Sequence, residues 1–265
     1  MSSMRLGAED GDASFMVVPA EGVRMQAWYP PYTLENHMSL KEKSFLVTGG
    51  TGALGAAVVQ RLLDAGASVH LTCIHEDERK ASHVPSDAQI HVVDLACEDQ
   101  VEELYSQIGG LYGSIHVAGG FSMGPIERIS AEDFQVMMAM NALSCFLCCR
   151  EAVKAMRTSG SEGRIVNVAA RPALEPAGGM LAYTTSKAAV ASMTECLAKE
   201  VIGEGILVNA VVPSIMDTPA NRAGMPDADF SAWPSVDSVA HTIVGLASPC
   251  NQLTSGALVP VYGNV

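Results

Sequence analysis

The chain has 265 residues, of which 29 are acidic and 16 basic; 48% are apolar and 17% charged. These proportions exclude a disordered chain and a small disulfide-stabilised scaffold, and they are typical of a compact domain with a deep core. The formal net charge of −13 argues against binding to nucleic acid or to an anionic membrane surface, because both would be repelled. The expected partner is therefore a small-molecule substrate.

Cysteine usage and hydropathy indicate the compartment. Seven cysteines form an odd, unevenly spaced set, which predicts reduced thiols in a cytoplasmic protein. The first thirty residues lack the pattern of a signal peptide, and the longest nearly apolar run, 134–149, is too short to cross a bilayer. We predict no membrane segment.

The predicted elements begin after an N-terminal extension. Residues 1–38 have scattered glycine and proline and no sustained period, so they are either a native leader, a stretch before an alternative start, or a cloning remnant. The domain proper is predicted to cover residues 39–265. Its strands are predicted at 44–48, 68–73, 89–93, 114–118, 163–168, 206–212 and 257–261. Its helices are predicted at 54–65, 98–108, 131–156, 180–202 and 236–246. This alternation predicts an α/β fold, a single-domain doubly wound sheet of seven parallel strands.

The segment 213–234, after the sixth strand, is long and carries four prolines. In an open α/β sheet it leaves from the carboxyl edge, where ligands bind. It is predicted to be either a mobile lid on the substrate side or a plain surface excursion.

A glycine-rich turn follows the first predicted strand, where residues 48–55 read TGGTGALG and lead into a helix. Such a turn lets backbone N–H groups approach a pyrophosphate, and the helix N-terminus adds partial positive charge. The candidate cofactor-binding residues here are Gly49, Thr51, Gly52, Ala53, Leu54 and Gly55.

A second motif lies on the helix predicted at 180–202. Tyr183 and Lys187 are four residues apart and so share a helix face. The lysine ammonium is expected to favour the phenolate and bring the tyrosine pKa toward working pH, which suits proton transfer.

Further segments accompany these two motifs: VDL at 93–95, AG at 118–119, Asn141, GRIVNV at 163–168 and VNAVVP at 208–213. With them, residues 39–265 resemble the short-chain dehydrogenase/reductases, single-domain Rossmann enzymes that use NAD or NADP. The resemblance implies an oxidoreductase that transfers hydride to an activated C=O or C=N acceptor.

The resemblance also implies roles for individual residues. Tyr183 would be the general acid/base, Lys187 would hold the nicotinamide ribose and lower the tyrosine pKa, and Asn141 would support a water-linked proton relay. Asp94 would lie against the adenine, and Thr218 would contact the nicotinamide carboxamide. The other implied cofactor-binding positions are Leu95, Ala118, Gly119 and Pro213.

The sequence departs from the family pattern in four places. Ala53 replaces the middle glycine of the turn, His116-Val117 replaces a pair of asparagines, and Ser214 replaces the glycine after the proline. The fourth is Ala170, thirteen residues before the tyrosine, where the family has its catalytic serine. Loss of one such preorganised donor typically costs ~10²–10³ in rate.

Three explanations of Ala170 stay open. In the first, the substrate is electrophilic enough to react with a single hydrogen-bond donor. In the second, Arg171 or Ser214 supplies the missing donor. The third is that the chain is a catalytically silent nucleotide-binding sensor or scaffold. The first gains support from a closer resemblance to the quinonoid dihydropteridine reductases, which also have alanine here. Similar segments are 117–121, 179–183 and the loop 217–233.

The choice of cofactor depends on the end of the second strand, where an acidic residue selects NAD and an arginine selects NADP. Cys73, Ile74 and His75 fall there and fit neither pattern. Nearby Glu76 and Asp77 would repel a 2′-phosphate, so NAD is favoured over NADP.

No metal site is predicted, because the cysteines of the run 145–149 occupy an apolar helix and the histidines are scattered. Among the histidines, only His116 falls at a strand end beside the nicotinamide, and a structural role is favoured for it. The helix at 131–156 is apolar nearly all round, which together with the resemblance predicts a homo-oligomer, a dimer or tetramer.

Overall fold

The computed structural model describes residues 39–264 apart from positions 83 and 161. The extension predicted at residues 1–38 lies outside the described residues.

Seven parallel strands form one sheet in the order β3-β2-β1-β4-β5-β6-β7. The strands are β1 Ser44–Thr48, β2 Ser68–Cys73, β3 Gln89–Val92, β4 Leu111–His116, β5 Gly163–Val168, β6 Ile206–Pro213 and β7 Leu258–Val261. The predicted doubly wound seven-stranded sheet is thus confirmed. Strand β4 begins and ends earlier than the predicted 114–118, because after His116 the chain turns toward the glycine-rich loop, where the Ala118 amide donates to Thr48 Oγ1 at 3.1 Å.

Helices cover both faces of the sheet. They are α1 Ala53–Asp64, α2 Glu76–Ala81, α3 Glu98–Ser106, α4 Ala131–Met137, α5 Ser144–Ser159, α6 Arg171–Leu174, α7 Leu181–Val201, α8 Pro219–Gly224 and α9 Val236–Ala247. Helices α1 and α9 pack together on one face, and α3, α5 and α7 lie on the other. The helices α2, α6 and α8 were not predicted, since each has only four to six residues and no apolar period.

Two apolar cores lie on the two faces of the sheet. Phe45 and Val47 of β1 face the core under α1 and α9, whereas Leu46 faces the core under α3, α5 and α7. Alternate residues of a strand point to opposite faces, so a parallel strand covered by helices on both sides is apolar along its whole length.

The helix predicted at 131–156 is interrupted. Between α4 and α5 the backbone forms a π-helix, Met138–Leu143. Of the described residues, the continuous stretch Ala131–Ser159 is the one helix long and apolar enough to cross a bilayer by length and composition, but 61% of its apolar window is buried inside the protein. Such burial is typical of a core helix of a globular domain.

Candidate active site

A large cleft opens at the carboxyl ends of the strands, at the point between β1 and β4 where the strand order reverses. Open α/β sheets bind their ligands at this position. The cleft has a volume of about 1570 Å³. Its lining includes every predicted cofactor-binding residue: Gly49, Thr51, Gly52, Ala53, Leu54, Gly55, Asp94, Leu95, Ala118, Gly119, Tyr183, Lys187, Pro213 and Thr218.

The glycine-rich turn is shaped for close backbone approach. Gly49 has φ +64°, a left-handed conformation, and a Cβ on it would lie 2.9 Å from the Ala118 Cα. A Cβ on Gly55 would lie 2.1 Å from the Gly49 carbonyl oxygen. Gly52 caps α1, whose N-terminus faces the cleft. This arrangement fits a pyrophosphate, which needs exposed N–H groups and no intervening side chains.

Tyr183 and Lys187 lie on the first turns of α7. The Lys187 ammonium is buried and donates to the Val168 carbonyl at 2.8 Å, and burial lowers its pKa to about 8. Burial raises the pKa of the Tyr183 phenol to about 12. Within the chain alone, the expected lowering of the tyrosine pKa is therefore absent, because desolvation of the phenol outweighs any effect of the lysine.

Asn141 does not line the cleft but lies directly behind it, 1% exposed, inside the π-helix. Its Oδ1 accepts from the Gly120 amide, and its Nδ2 donates to the Gly120 carbonyl and to Ser186 Oγ, each at 3.0 Å. Ser186 Oγ in turn donates to the Tyr183 carbonyl at 2.7 Å. Asn141 thus connects the segment after β4 to the helix that carries Tyr183 and Lys187.

Ala170 lies at the end of β5, buried and lining the cleft, and presents only a methyl group. Neither predicted substitute donor is free of other bonds. Ser214 Oγ donates to the Tyr262 carbonyl at 2.7 Å. Arg171 donates to the Glu175 carboxylate at 2.8 Å, and its guanidinium lies 4.8 Å over the Tyr262 ring.

The opposite end of the cleft is acidic. Cys73 and Ile74 line it as expected, and besides Asp94 the lining has a carboxylate from α2, that of Glu78, which accepts from Thr51 Oγ1 at 3.4 Å. The predicted Glu76 and Asp77 lie outside the lining, because α2 turns them away. Helix α2, six residues long and not predicted from the sequence, decides which of its own carboxylates faces the cleft.

The segment predicted as a lid contributes residues to the lining of the cleft. It contains α8, which begins after Thr218, whose Oγ1 accepts from the Asn221 amide at 3.1 Å. Ile215 and Met225 of this segment line the cleft. The segment is therefore placed at the ligand site, and its mobility stays a prediction.

The lining has an apolar part that the sequence does not predict. Phe121 lies edge-on to the Tyr183 ring, with 4.9 Å between centroids, and Met123 and Met140 also line the cleft. Isolated apolar residues in loops carry no periodic pattern that would reveal them. His116, by contrast, does not line the cleft; it is buried beneath it, bonded to Ser114 and Asn167.

The chain is similar in sequence to known dehydrogenases. The family model for short chain dehydrogenases matches residues 43–228. The chain is 33% identical over 197 residues to the 3beta-hydroxysteroid dehydrogenase of Mediterraneibacter gnavus, covering 70% of each chain. It is 32% identical over 220 residues to the 2,5-dichloro-2,5-cyclohexadiene-1,4-diol dehydrogenase of Sphingobium indicum, covering 80% of this chain and 87% of that one.

Among solved structures, ElxO with NADP bound superposes with a TM-score of 0.77 at 25% identity, covering 83% of this chain and 97% of that one. A dehydrogenase/reductase from Sinorhizobium meliloti 1021 superposes with a TM-score of 0.75 at 27% identity, covering 87% and 98%. The family predicted from the sequence is thus confirmed. The chain belongs to the short-chain dehydrogenase/reductase family and is an NAD(P)-dependent oxidoreductase.

Proposed function

We propose that this enzyme transfers hydride between a nicotinamide cofactor and an electron-poor C=O or C=N group in an apolar cyclic substrate. The observation that carries the proposal is the Ala170 methyl group in the cleft wall, beside a single phenolic donor, Tyr183. One hydrogen-bond donor is enough only where the C=O or C=N group is already electron-poor. For other groups, loss of the second hydrogen-bond donor costs ~10²–10³ in rate.

The cofactor supplies or accepts the hydride. Its pyrophosphate would lie on the glycine-rich turn at the N-terminus of α1, and its adenine beside Asp94 and Leu95. Ala118, Gly119 and Pro213 would border the nicotinamide end, with Thr218 near the carboxamide.

The chain's own residues would handle the proton. In the reducing direction, the Tyr183 phenol donates to the substrate oxygen or nitrogen, and its raised pKa keeps it protonated at neutral pH. Lys187 would hold the ribose and replace the proton that Tyr183 gives up. Asn141 fixes the backbone behind both groups and would support the water-linked relay that recharges the lysine.

NAD is favoured over NADP by the Glu78 carboxylate in the cleft lining, which would repel a 2′-phosphate. The two cations that follow Glu78 in the chain, Arg79 and Lys80, lie outside the lining and pair with Glu76 and Asp77 at 3.6 and 3.9 Å. The ElxO structure does contain NADP, so the preference needs a direct measurement. Glu78→Gln should strengthen NADPH binding, whereas Glu76→Gln, on the same helix but outside the cleft, should not. A tenfold preference of the unaltered enzyme for NADPH would refute the assignment.

An apolar substrate is favoured by the apolar residues in the cleft lining, among them Phe121, Met123, Met140, Ile215 and Met225. Methionine side chains adapt to irregular apolar shapes. The names of the relatives refer to a steroid and a chlorinated cyclic diol. A quinonoid dihydropterin, and membership of the branch of reductases that act on it, stay narrower predictions that these relatives do not support.

A homo-oligomer and a cytoplasmic location also stay predictions. The first is supported by an apolar strip on the α4–α5 stretch, where Val136, Leu143 and Phe146 are 41–47% exposed. A monomeric mass at micromolar concentration would contradict it.

The roles are tested by comparing Tyr183→Phe with the unaltered enzyme. NADH and NADPH affinities are measured by fluorescence, and turnover is followed with a panel of quinonoid, conjugated and simple carbonyl acceptors. We expect cofactor affinity to be retained and turnover to fall by about 10²–10⁴. Tyr112→Phe is the matched control, since this tyrosine lies on β4 outside the cleft.

Two results would overturn the proposal. Turnover that survives in Tyr183→Phe would remove the phenol from the reaction. Faster reduction of simple ketones than of electron-poor acceptors would remove the substrate class inferred from Ala170.

A further inference from the structure

A cluster of polar side chains is buried beneath the cleft, between the sheet and α5. It contains His116 from β4 and two cysteines of α5, Cys145 and Cys149, all at most 6% exposed. The cysteines are four residues apart and so lie on one helix face. One nitrogen and the two sulfurs all lie within 4.8 Å of one another. The mechanism proposed above uses none of them.

The separation of Cys149 and His116 is that of two ligands of one metal ion. Cys149 Sγ lies 3.6 Å from His116 Nδ1. In a tetrahedral site with Zn–S about 2.3 Å and Zn–N about 2.0 Å, the sulfur and nitrogen ligands are about 3.5 Å apart. Asn167 Oδ1, from β5, also lies 3.6 Å from Cys149 Sγ, which suits a fourth ligand.

The surrounding residues hold the imidazole in place. His116 Nε2 lies 2.8 Å from Ser114 Oγ and 3.3 Å from the Tyr105 hydroxyl. Both hydroxyls can donate or accept, so the ring can carry its proton on Nε2 and leave Nδ1 as a ligand. A metal-bound histidine usually donates its other N–H to such a partner, which fixes the orientation of the ring.

The amide of Asn167 is also oriented. Its Nδ2 donates to Thr194 Oγ1 at 2.9 Å, so that Oδ1 faces His116 Nδ1 at 2.8 Å. When the proton of the His116 ring moves from Nδ1 to Nε2, Asn167 Oδ1 no longer accepts a hydrogen bond from this ring. The nitrogen and oxygen then need to separate by only about 0.5 Å to reach the spacing of two ligands on one zinc ion.

We propose that His116, Cys145 and Cys149, with Asn167 Oδ1 as fourth ligand, form a structural zinc site. On binding, the two thiols release their protons to solvent, and the two thiolates balance the divalent charge. A neutral centre is compatible with a dry core, where an uncompensated charge is costly. The ion would link β4 and β5 to α5 directly below the cleft. The oxidation states of the metal and the cysteines do not change.

Metal content is the direct test. The full chain is purified with zinc supplied, passed over a chelating resin, and analysed for zinc by mass spectrometry. We expect about one zinc per chain in the unaltered protein and in Cys148→Ser, and roughly tenfold less in Cys145→Ser and Cys149→Ala. Cys148 is the matched control, because it is equally buried on the same helix but lies outside the group of three.

Cobalt substitution provides a second test that needs no variant. Co²⁺ in place of zinc should give thiolate-to-cobalt charge-transfer absorption and the visible bands of a tetrahedral site. This test stands if Cys145→Ser and Cys149→Ala fail to fold. Zinc below a tenth of an equivalent in the unaltered protein, zinc retained by the folded Cys145→Ser and Cys149→Ala variants, or a cobalt spectrum without charge-transfer bands would each overturn the proposal. None of these results bears on the hydride-transfer assignment.

Discussion

Replacing Asn141 by alanine should destabilise the protein measurably, because three hydrogen bonds of a buried side chain are lost. Two of them involve the Gly120 backbone and one involves Ser186 Oγ. Each bond contributes about 0.5–1.5 kcal/mol net, so the free energy of unfolding should fall by about 3 kcal/mol. For a domain of this size, the melting temperature should then fall by about 6–12 °C.

Asn209→Ala is the matched control. Asn209 is also fully buried, and it bonds to the Thr254 carbonyl and the Ala257 amide at 2.8 and 3.0 Å, on the β6–β7 side of the sheet. Two lost bonds predict a loss of about 2 kcal/mol. Turnover by the folded fraction should stay unchanged in this variant, whereas in Asn141→Ala it should fall about tenfold or more, because the backbone behind Tyr183 loses its support.

Calorimetry and initial rates measured below the transition separate the two effects. An Asn141→Ala variant that melts within about 2 °C of the unaltered protein would refute the energetic argument. Equal loss of turnover in both variants would show that the effect on rate is a general effect of stability and not of position.

Three further predictions concern the cofactor turn, the Tyr183 phenol and a pair of histidines. Gly55→Ala should abolish NADH binding in a fluorescence titration, because its Cβ would lie 2.1 Å from the Gly49 carbonyl oxygen; retained affinity would contradict the close approach. In an ultraviolet difference titration against Tyr183→Phe, no tyrosinate signal from Tyr183 should appear below pH 10. The pKa values of His70 and His91 are both lowered, chiefly by burial, so the unfolded chain binds more protons below about pH 6.5 and stability should fall as the pH falls through that range. His91→Gln should flatten this fall in a melting series; an unchanged slope would contradict it.

The framework of the fold follows from local patterns in the sequence. The glycine-rich turn at 48–55 and the periodicity of the strands are enough to predict the sheet and the cleft. Both patterns are formed by residues that are close together in the sequence. The π-helix around Asn141 does not follow, since apolar spacing of three or four residues cannot separate it from an α-helix. The position of the α2 carboxylate does not follow either, because this short helix presents Glu78 to the cleft and not the expected Glu76 and Asp77. The meeting of His116 with Cys149 is a long-range contact across two elements, and no sequence spacing reveals it.

The residues that line the cleft come from two kinds of segment. This difference bears on how the substrate selectivity of such enzymes can change in evolution. Tyr183 and Lys187 are carried by a helix of 21 residues packed against the sheet, whereas Ile215 and Met225 belong to an excursion outside the regular strands and helices that cover the sheet. Substitutions in the excursion can therefore accumulate without moving the reacting groups. The chemistry is inherited with the core, and selectivity can evolve separately from it.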